Sequence, residues 1–386
     1  MSLKHPVLAH VALGYAPLYD AQRQVMATRL SLIPLKPDAA FEPAAVLAAV
    51  GDAFPAEFRP GIVNLPHEGA LAALLAADLP AHLSVEVPAF LAASLGEALQ
   101  ARPGQLLKGV AEVGPLRAAF KAAELDLDDL RRGATDPNQL PLWCNVVRSG
   151  AEAAEAFQRG AKAVFGLPVD GAFEPPPGSP KVEVSADLQV LMQLIGQVDK
   201  GESPDKLEAT LKRDPSLAFK LLRYMNSAAF GLPVEVTSFR HAMMLLGLAR
   251  LKRWLALLLA TACKDSTMRP VMWAALRRGL LMEELAKGLN DREAADEMFI
   301  CGLFSLLDHL LKTPFDKLLA SIPCPEGVVQ ALVHQTGPYQ PYLEMAKAIE
   351  GESMFDYRSA AEALMLGPAE INHAVLSALA KGAQLD

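Results

Sequence analysis

The sequence predicts an α/β unit followed by an all-α unit, and three observations carry that expectation. Short β-like runs alternate with Ala/Leu-rich stretches in the first half, the pattern of a largely parallel sheet. After residue 182 the apolar spacing becomes helical throughout. Between the two stands Glu174-Pro175-Pro176-Pro177-Gly178-Ser179-Pro180, four prolines in seven residues, which block helix and ladder alike and favour an extended connector. The expected organisation is therefore 1–173, a 174–181 linker, and 182–386.

In the first unit the β-like runs are Val7 to Tyr15, Val25 to Ile33, Gly61 to Leu65, Leu83 to Val87, Gln105 to Val110, Leu142 to Val147 and Ala163 to Leu167. Helical composition fills Ala70 to Ala77, Ala89 to Gln100 and Glu152 to Gly160. Such a unit can close into a barrel, but roughly 175 residues fall short of the 200 or more of a complete eight-fold one, so a shortened or distorted barrel is expected.

In the second unit Leu188, Leu191, Met192, Ile195 and Val198 follow the three- and four-residue steps of one helix face. Ser203-Pro204 and Asp214-Pro215 each put a capping side chain before a proline at the first helical position, where the missing N–H costs nothing. Ser238 opens a helix that Gly247 can end. Further helices are expected at Met272 to Leu289, Ala294 to Leu311, Glu326 to Gln335, Pro341 to Glu350, Arg358 to Met365 and Ala369 to Ala380.

Composition narrows the function. The 386 residues are 52% hydrophobic and 21% charged, with a mean hydropathy of +0.21, which is enough apolar surface to offset ordering entropy. Through Pro180 there are 14 basic against 19 acidic residues, and 22 against 25 after it. Neither half is basic, which disfavours nucleic acid, since phosphate binding needs clustered cations. The best local cluster is Arg250, Lys252 and Arg253 beside Trp254. It reads as a solvated helix face with an aromatic anchor, or as a possible interaction helix. Cys144, Cys263, Cys301 and Cys324 are scattered with no Cys-x-x-Cys pair, so they read as reduced core residues. The longest apolar stretch, Trp254 to Cys263, is about half a bilayer span, and a cytoplasmic location is expected.

Two resemblances to known families follow from the motifs. Asp214-Pro215-Ser216-Leu217-Ala218-Phe219-Lys220-Leu221-Leu222-Arg223-Tyr224-Met225-Asn226-Ser227-Ala228, with Leu245-Leu246-Gly247 and Phe299 to Asp308, resembles the HDOD domain, a helical relative of HD phosphohydrolases. Ala16-Pro17-Leu18-Tyr19-Asp20 and Val164-Phe165-Gly166 resemble the opening and closing strands of EAL domains. Asn64 and Glu86 fall where that family carries metal ligands. Together these imply a bacterial two-domain signalling protein, with a degenerate TIM-like EAL barrel before an HDOD bundle.

Residue by residue, the resemblance also implies lost chemistry. An EAL enzyme holds paired divalent cations on carboxylates, which generate hydroxide and neutralise phosphate. Here Thr28-Arg29-Leu30-Ser31-Leu32 stands where Glu-x-Leu is wanted, and Leu106-Leu107-Lys108-Gly109 replaces Asp-Asp-Phe-Gly. Asp126, Asp128 and Asp129 have no accompanying Lys-Ile-Asp. Asn64 and Glu86 are thus vestigial positions, expected to bond loop backbone at strand ends. In the helical half Ser305 and Leu306 replace the His-Asp pair of HD hydrolases, Trp273, Ala274 and Ala275 surround the expected first histidine, and Asp308-His309 has the reversed order. His241 and His334 are lone histidines. No Gly-x-Ser-x-Gly elbow or phosphate loop is present.

The expected function is therefore non-catalytic signal transduction by protein or ligand binding, with no catalytic residue, metal or cofactor. The alternative is a metal-dependent phosphohydrolase or cyclic-di-GMP phosphodiesterase with non-standard ligands. Expected partners are other signalling proteins or a second copy of the chain, with a cyclic dinucleotide as a weaker candidate. Asp214, Pro215, Arg223, Asn226 and Ser227 are read as structural or partner-facing.

Overall fold

The computed structural model describes residues 5–36, 42–53, 60–77, 80–175, 186–213, 236, 239–261, 263, 265–320 and 322–385. The chain divides into two compact units, Met1–Asp170 with Glu344–Ala380, and Gly171–Leu343 with Lys381–Asp386.

Eight strands close the first unit in sequence order: β1 (Val11–Asp20), β2 (Val25–Pro34), β3 (Gly61–Asn64), β4 (Leu83–Pro88), β5 (Gln105–Lys108), β6 (Phe120–Asp126), β7 (Leu142–Asn145) and β8 (Ala163–Phe165). β1 runs antiparallel to β2 and β8, and the other adjacent pairs are parallel. The reversal follows from the connection, because a direct turn rather than a crossover joins β1 to β2. Asp20 builds that turn: its carboxylate accepts from Gln24 N–H at 2.9 Å and its carbonyl from Arg23 N–H at 2.9 Å, with Arg23 left-handed at φ 61°.

All eight strands are therefore present, and the brevity read from the length falls on the connections. The helices of this segment are α1 (Pro43–Ala53), α2 (Glu68–Ala76), α3 (Gly96–Ala101), α4 (Leu127–Arg131) and α5 (Gly150–Gln158), of which α4 has only five residues. Val11 through Tyr19 are all buried, as expected of a barrel strand covered on both faces. The first strand begins later than its expected position, because Pro6–Ala9 forms a separate 3-10 turn. The stretch expected as a helix from Ala89 to Gln100 splits into a 3-10 turn at Ala89–Leu91 and α3.

In the second unit and beyond lie α6 (Ala186–Asp199), α7 (Pro204–Leu211), α8 (Phe239–Thr261), α9 (Arg269–Ala286), α10 (Arg292–Phe304), α11 (Leu307–Leu311), α12 (Phe315–Leu319), α13 (Glu326–Val333), α14 (Gln340–Glu350), α15 (Met354–Leu364) and α16 (Pro368–Ala383). Gly247, at φ 74° and ψ 173°, breaks α8 where the sequence places a helix end. Pro204 opens α7 as expected, but the Ser203 side chain makes no capping bond. Ser305 ends α10, dividing the helix expected from Ala294 to Leu311. α9 and α10 meet through facing glycines: a Cβ on Gly302 would lie 2.6 Å from the Arg278 carbonyl oxygen, and one on Gly279 2.9 Å from that of Phe299. Only residues without side chains let the two backbones approach so closely.

The extent of the expected C-terminal domain is corrected here. Rather than staying with the helical unit to residue 386, Glu344–Ala380 belong with the barrel. Unmet backbone groups supply the reason. β8 pairs only with Leu18–Asp20, which leaves the earlier part of β1 without a strand on that side. Asn372, fully buried on α16, accepts from Leu13 N–H at 3.0 Å and donates to the carbonyls of Leu8 at 2.7 Å and Val11 at 2.6 Å.

The four cysteines are free thiols. Among the described residues no single helix is long and apolar enough to cross a membrane.

Candidate functional site

In barrels of parallel strands, chemistry gathers at the carboxyl ends of the strands. Here that rim carries Arg29 and Ser31 on β2, Asn64 on β3, Glu86 on β4, Lys108 on β5, Glu124 on β6 and Asn145 on β7. The ladder registers keep them level: Ser31 lies beside Asn64, Lys108 beside Glu124, and Asp126 beside Asn145.

Arg29 is the hub. Its side chain is 1% exposed and its guanidinium carbon lies 4.6 Å from the centre of the Phe165 ring. Nη1 donates to Asn145 Oδ1 at 2.7 Å and to Glu124 Oε1 at 3.5 Å, and stands 3.7 Å from Glu86 Oε1. Nη2 donates to Glu352 Oε2 at 3.2 Å. Lys108 Nζ donates to Glu86 Oε2 at 2.9 Å and lies 3.6 Å from Glu124 Oε1. Glu352, in the turn between α14 and α15, also accepts from Ser31 Oγ at 2.7 Å, and Ser31 in turn accepts from Asn64 Nδ2 at 3.1 Å.

Electrostatics decides the protonation of this cluster. Burial, reinforced by the neighbouring Glu86 carboxylate, pushes the Glu124 carboxyl up to about 8 against the pull of Lys108 and Arg29. Burial also works against the charges of Arg29 and Lys108, but the surrounding carboxylates override it and hold both above their ordinary ranges. Glu86 Oε1 and Glu124 Oε2 have no donor among the described residues, an unmet demand that buried polar atoms carry at a cost.

The arrangement does not fit the paired divalent ions of an EAL enzyme. Arg29 and Lys108 already fill the space between Glu86 and Glu124. At an effective dielectric of 20 and a separation of about 4 Å, each would repel a divalent ion by about 8 kcal/mol. Among the described residues no group of three His, Cys, Asp or Glu side chains could hold a metal ion.

Of the sequence candidates, Asn64 and Glu86 do meet at this rim. They bond the side chains of Ser31 and Lys108 rather than loop backbone, because charged and polar neighbours from adjacent strands reach them first. Asp128 and Asp129 pair instead with Arg131 and Arg132 within one helical turn, and Asp126 accepts from Asn145. The partner that sequence reasoning misses is Glu352, which lies 323 positions from Arg29 in an unremarkable helix connection.

The basic helix is corrected by the structure. Lys252 pairs with Asp199. Arg253 makes a two-pronged contact with Glu283 at 2.6 and 2.8 Å, reaches Asp296 at 3.3 Å and lies over the Phe299 ring at 3.9 Å. Trp254 is buried. These side chains are consumed inside the helical unit and do not form a solvated or phosphate-facing surface. The side chain of Arg250, and all of Asp214, Pro215, Arg223, Asn226 and Ser227, lie outside the described residues.

Ser305, which the sequence sets where an HD pair would stand, accepts from Arg278 Nη1 at 2.8 Å and donates to the Gly302 carbonyl at 2.6 Å. Asp308 and His309 clasp the segment before the linker: Asp308 accepts from Phe173 N–H at 2.7 Å, and His309 Nε2 lies 3.0 Å from the Gly171 carbonyl.

The HDOD domain model matches residues 186–312. The chain is 30% identical over 179 residues to the uncharacterized protein YuxH of Bacillus subtilis, covering 44% of this chain and 42% of that protein. It is 27% identical over 168 residues to the cyclic di-GMP phosphodiesterase CdgJ of Vibrio cholerae, covering 43% and 39%. The chain thus spans about two fifths of the length of the curated relatives it matches. Among solved structures it is similar to the EAL domain of FimX from Pseudomonas aeruginosa bound to c-di-GMP, at 17% identity and a TM-score of 0.28, over 41% of this chain and 88% of that one. The molecule is a closed eight-stranded barrel followed by a helical region that carries an HDOD domain.

Proposed function

We propose that this chain is a non-catalytic signalling protein of the cyclic-di-GMP kind, in which a barrel that has exchanged metal ligation for internal ion pairs is joined to an HDOD module. It acts by binding, in the cytoplasm, on other signalling proteins or on a second copy of itself. The single observation that carries this reading is the placement of Arg29 and Lys108 against Glu86 and Glu124. Hydroxide generation from a bound metal needs an open coordination position, and fixed cations stand where the ions would go. The resemblance of the motifs to EAL and HDOD domains, the HDOD match and the name of the Vibrio relative support the signalling half of the reading.

The test is incubation of the purified full chain with cyclic-di-GMP and either Mg²⁺ or Mn²⁺, followed by product analysis. No linear dinucleotide is expected, and turnover above a no-enzyme control would overturn the proposal. Calorimetry with the same nucleotide separates a ligand sensor from a protein-only scaffold. The Vibrio relative's name also favours a second reading, a phosphodiesterase with non-standard ligands. That reading requires a stoichiometric divalent ion after purification, which elemental analysis measures.

A further inference from the structure

We infer that the turn carrying Glu352 is a displaceable internal stopper, its carboxylate occupying an oxyanion cradle formed by Arg29, Ser31 and Asn64 at the barrel mouth. The inference concerns the occupant of the mouth and stands apart from whether the chain signals or hydrolyses anything.

Four observations carry it. The receptor is prebuilt and buried: Ser31 is 0% and Arg29 1% exposed, and Asn64 donates to Ser31, which turns the hydroxyl proton outward toward the carboxylate. The occupant is less buried than its receptor, with the Glu352 side chain 17% exposed, and its two oxygens are shared between two donors, Ser31 and Arg29. A phosphate or free carboxylate satisfies the same pair of donors.

The backbone of the occupant is also strained. Glu352 has φ 53°, a left-handed conformation that a residue with a Cβ adopts at a cost. The turn closes α14 with Gly351 N–H on the Lys347 carbonyl at 2.8 Å and Ser353 N–H on that of Ala348 at 3.1 Å. Glycine is the residue favoured at such a helix end, and here a glutamate takes it with its carboxylate on Ser31 and Arg29. Finally, β1 makes room for it. A Cβ on Gly14 would lie 2.9 Å from Glu352 Cγ and 3.0 Å from the Ile349 carbonyl oxygen, so only a bare backbone at that position lets the turn descend onto the rim.

The geometry of the cradle gives the stopper its consequence. Glu352 is the carboxylate that Arg29 Nη2 and Ser31 Oγ address, so its withdrawal leaves both of these buried donors unused. Such a pocket takes up a small oxyanion from solution.

The experiment titrates full-length wild type, Glu352→Ala and Glu352→Gln with inorganic phosphate, and separately with acetate, at constant ionic strength, reading melting temperature and calorimetric heat. Wild type should respond only weakly, because the anion must first displace the Glu352 carboxylate. Glu352→Ala should bind at least about tenfold more tightly than wild type, with a concentration-dependent rise in melting temperature. Ser31→Ala added to that variant should weaken binding about tenfold, the loss of one hydrogen bond to a charged group. A stronger response to phosphate than to acetate assigns the cradle to phosphate esters, and the reverse to carboxylate-bearing segments. Glu352→Gln keeps the side-chain volume and serves if the alanine variant does not fold. Equal responses in wild type and both variants, or binding that survives Ser31→Ala undiminished, would overturn the inference.

Discussion

Arg29 in the barrel and Arg253 in the helical unit are both cationic side chains drawn inside, and they are treated very differently. Arg253 is fork-bonded to one carboxylate, touched by a second and stacked on a ring, with its side chain still 18% exposed. Its partners lie on α9 and α10, and it acts as a clip between three helices. Arg29 divides its donors among side chains on β6, β7 and the turn after α14, with its Nε and two carboxylate oxygens nearby left without partners among the described residues. A satisfied pair stabilises a fold. A hub at a barrel mouth with polar atoms left over keeps capacity that a stabilising pair does not.

The sharpest way to break this contrast is to remove each cation. Arg29→Met leaves several buried carboxyl groups without their shared counter-charge and should lower the unfolding free energy by about 3–5 kcal/mol. Arg253→Met should cost less, about 1.5–3 kcal/mol, because water can reach its former partners. Denaturant titration of both variants measures the difference, and equal losses would erase the distinction. Next in size, Gly302→Ala forces a methyl group against the Arg278 carbonyl and should cost about 1–3 kcal/mol, confined to the helical unit in hydrogen-exchange protection.

Glu124 sharpens the comparison through pH. Its carboxyl is raised from 4.5 to about 8, so between those values the native state holds a proton that the unfolded chain releases. Its contribution is fully present below pH 4.5 and is lost as pH rises toward 8. Glu124→Gln keeps a neutral group there, so its melting temperature should fall less than that of wild type between pH 6 and 9. Smallest is Glu155→Ala, which removes a surface partner of Arg131 and Arg159 and should leave the denaturation midpoint nearly unchanged.

The legibility of this molecule in its sequence follows the distance over which each feature is encoded. Local signals were readable: Gly247 breaks α8, Pro204 starts α7, and β2, β3 and β4 fall on their Val/Ile/Leu runs. β6 was not, because Phe120-Lys121-Ala122-Ala123-Glu124-Leu125-Asp126 has a helix-forming composition that the sheet overrides. At the site, Arg29 and Lys108 stood out as cations in place of carboxylates. The meeting of Arg29 with Glu352, and the clamp of Asn372 on β1, join positions more than 300 apart, which no local periodicity records. The same separation explains why Glu344–Ala380 read as part of the helical domain, for an amphipathic helix announces a buried face but not the surface that buries it.

That clamp bears on how the protein is made. β1 is translated well before Asn372, which follows only after the Gly171–Leu343 part of the helical unit has been synthesised. At about 5–20 residues per second the nascent barrel waits on the order of 10–30 s for its last piece. Throughout that interval β1 has an incompletely paired edge and Arg29 lacks one of its carboxylate partners, and chaperone dependence is expected to fall on the barrel segment.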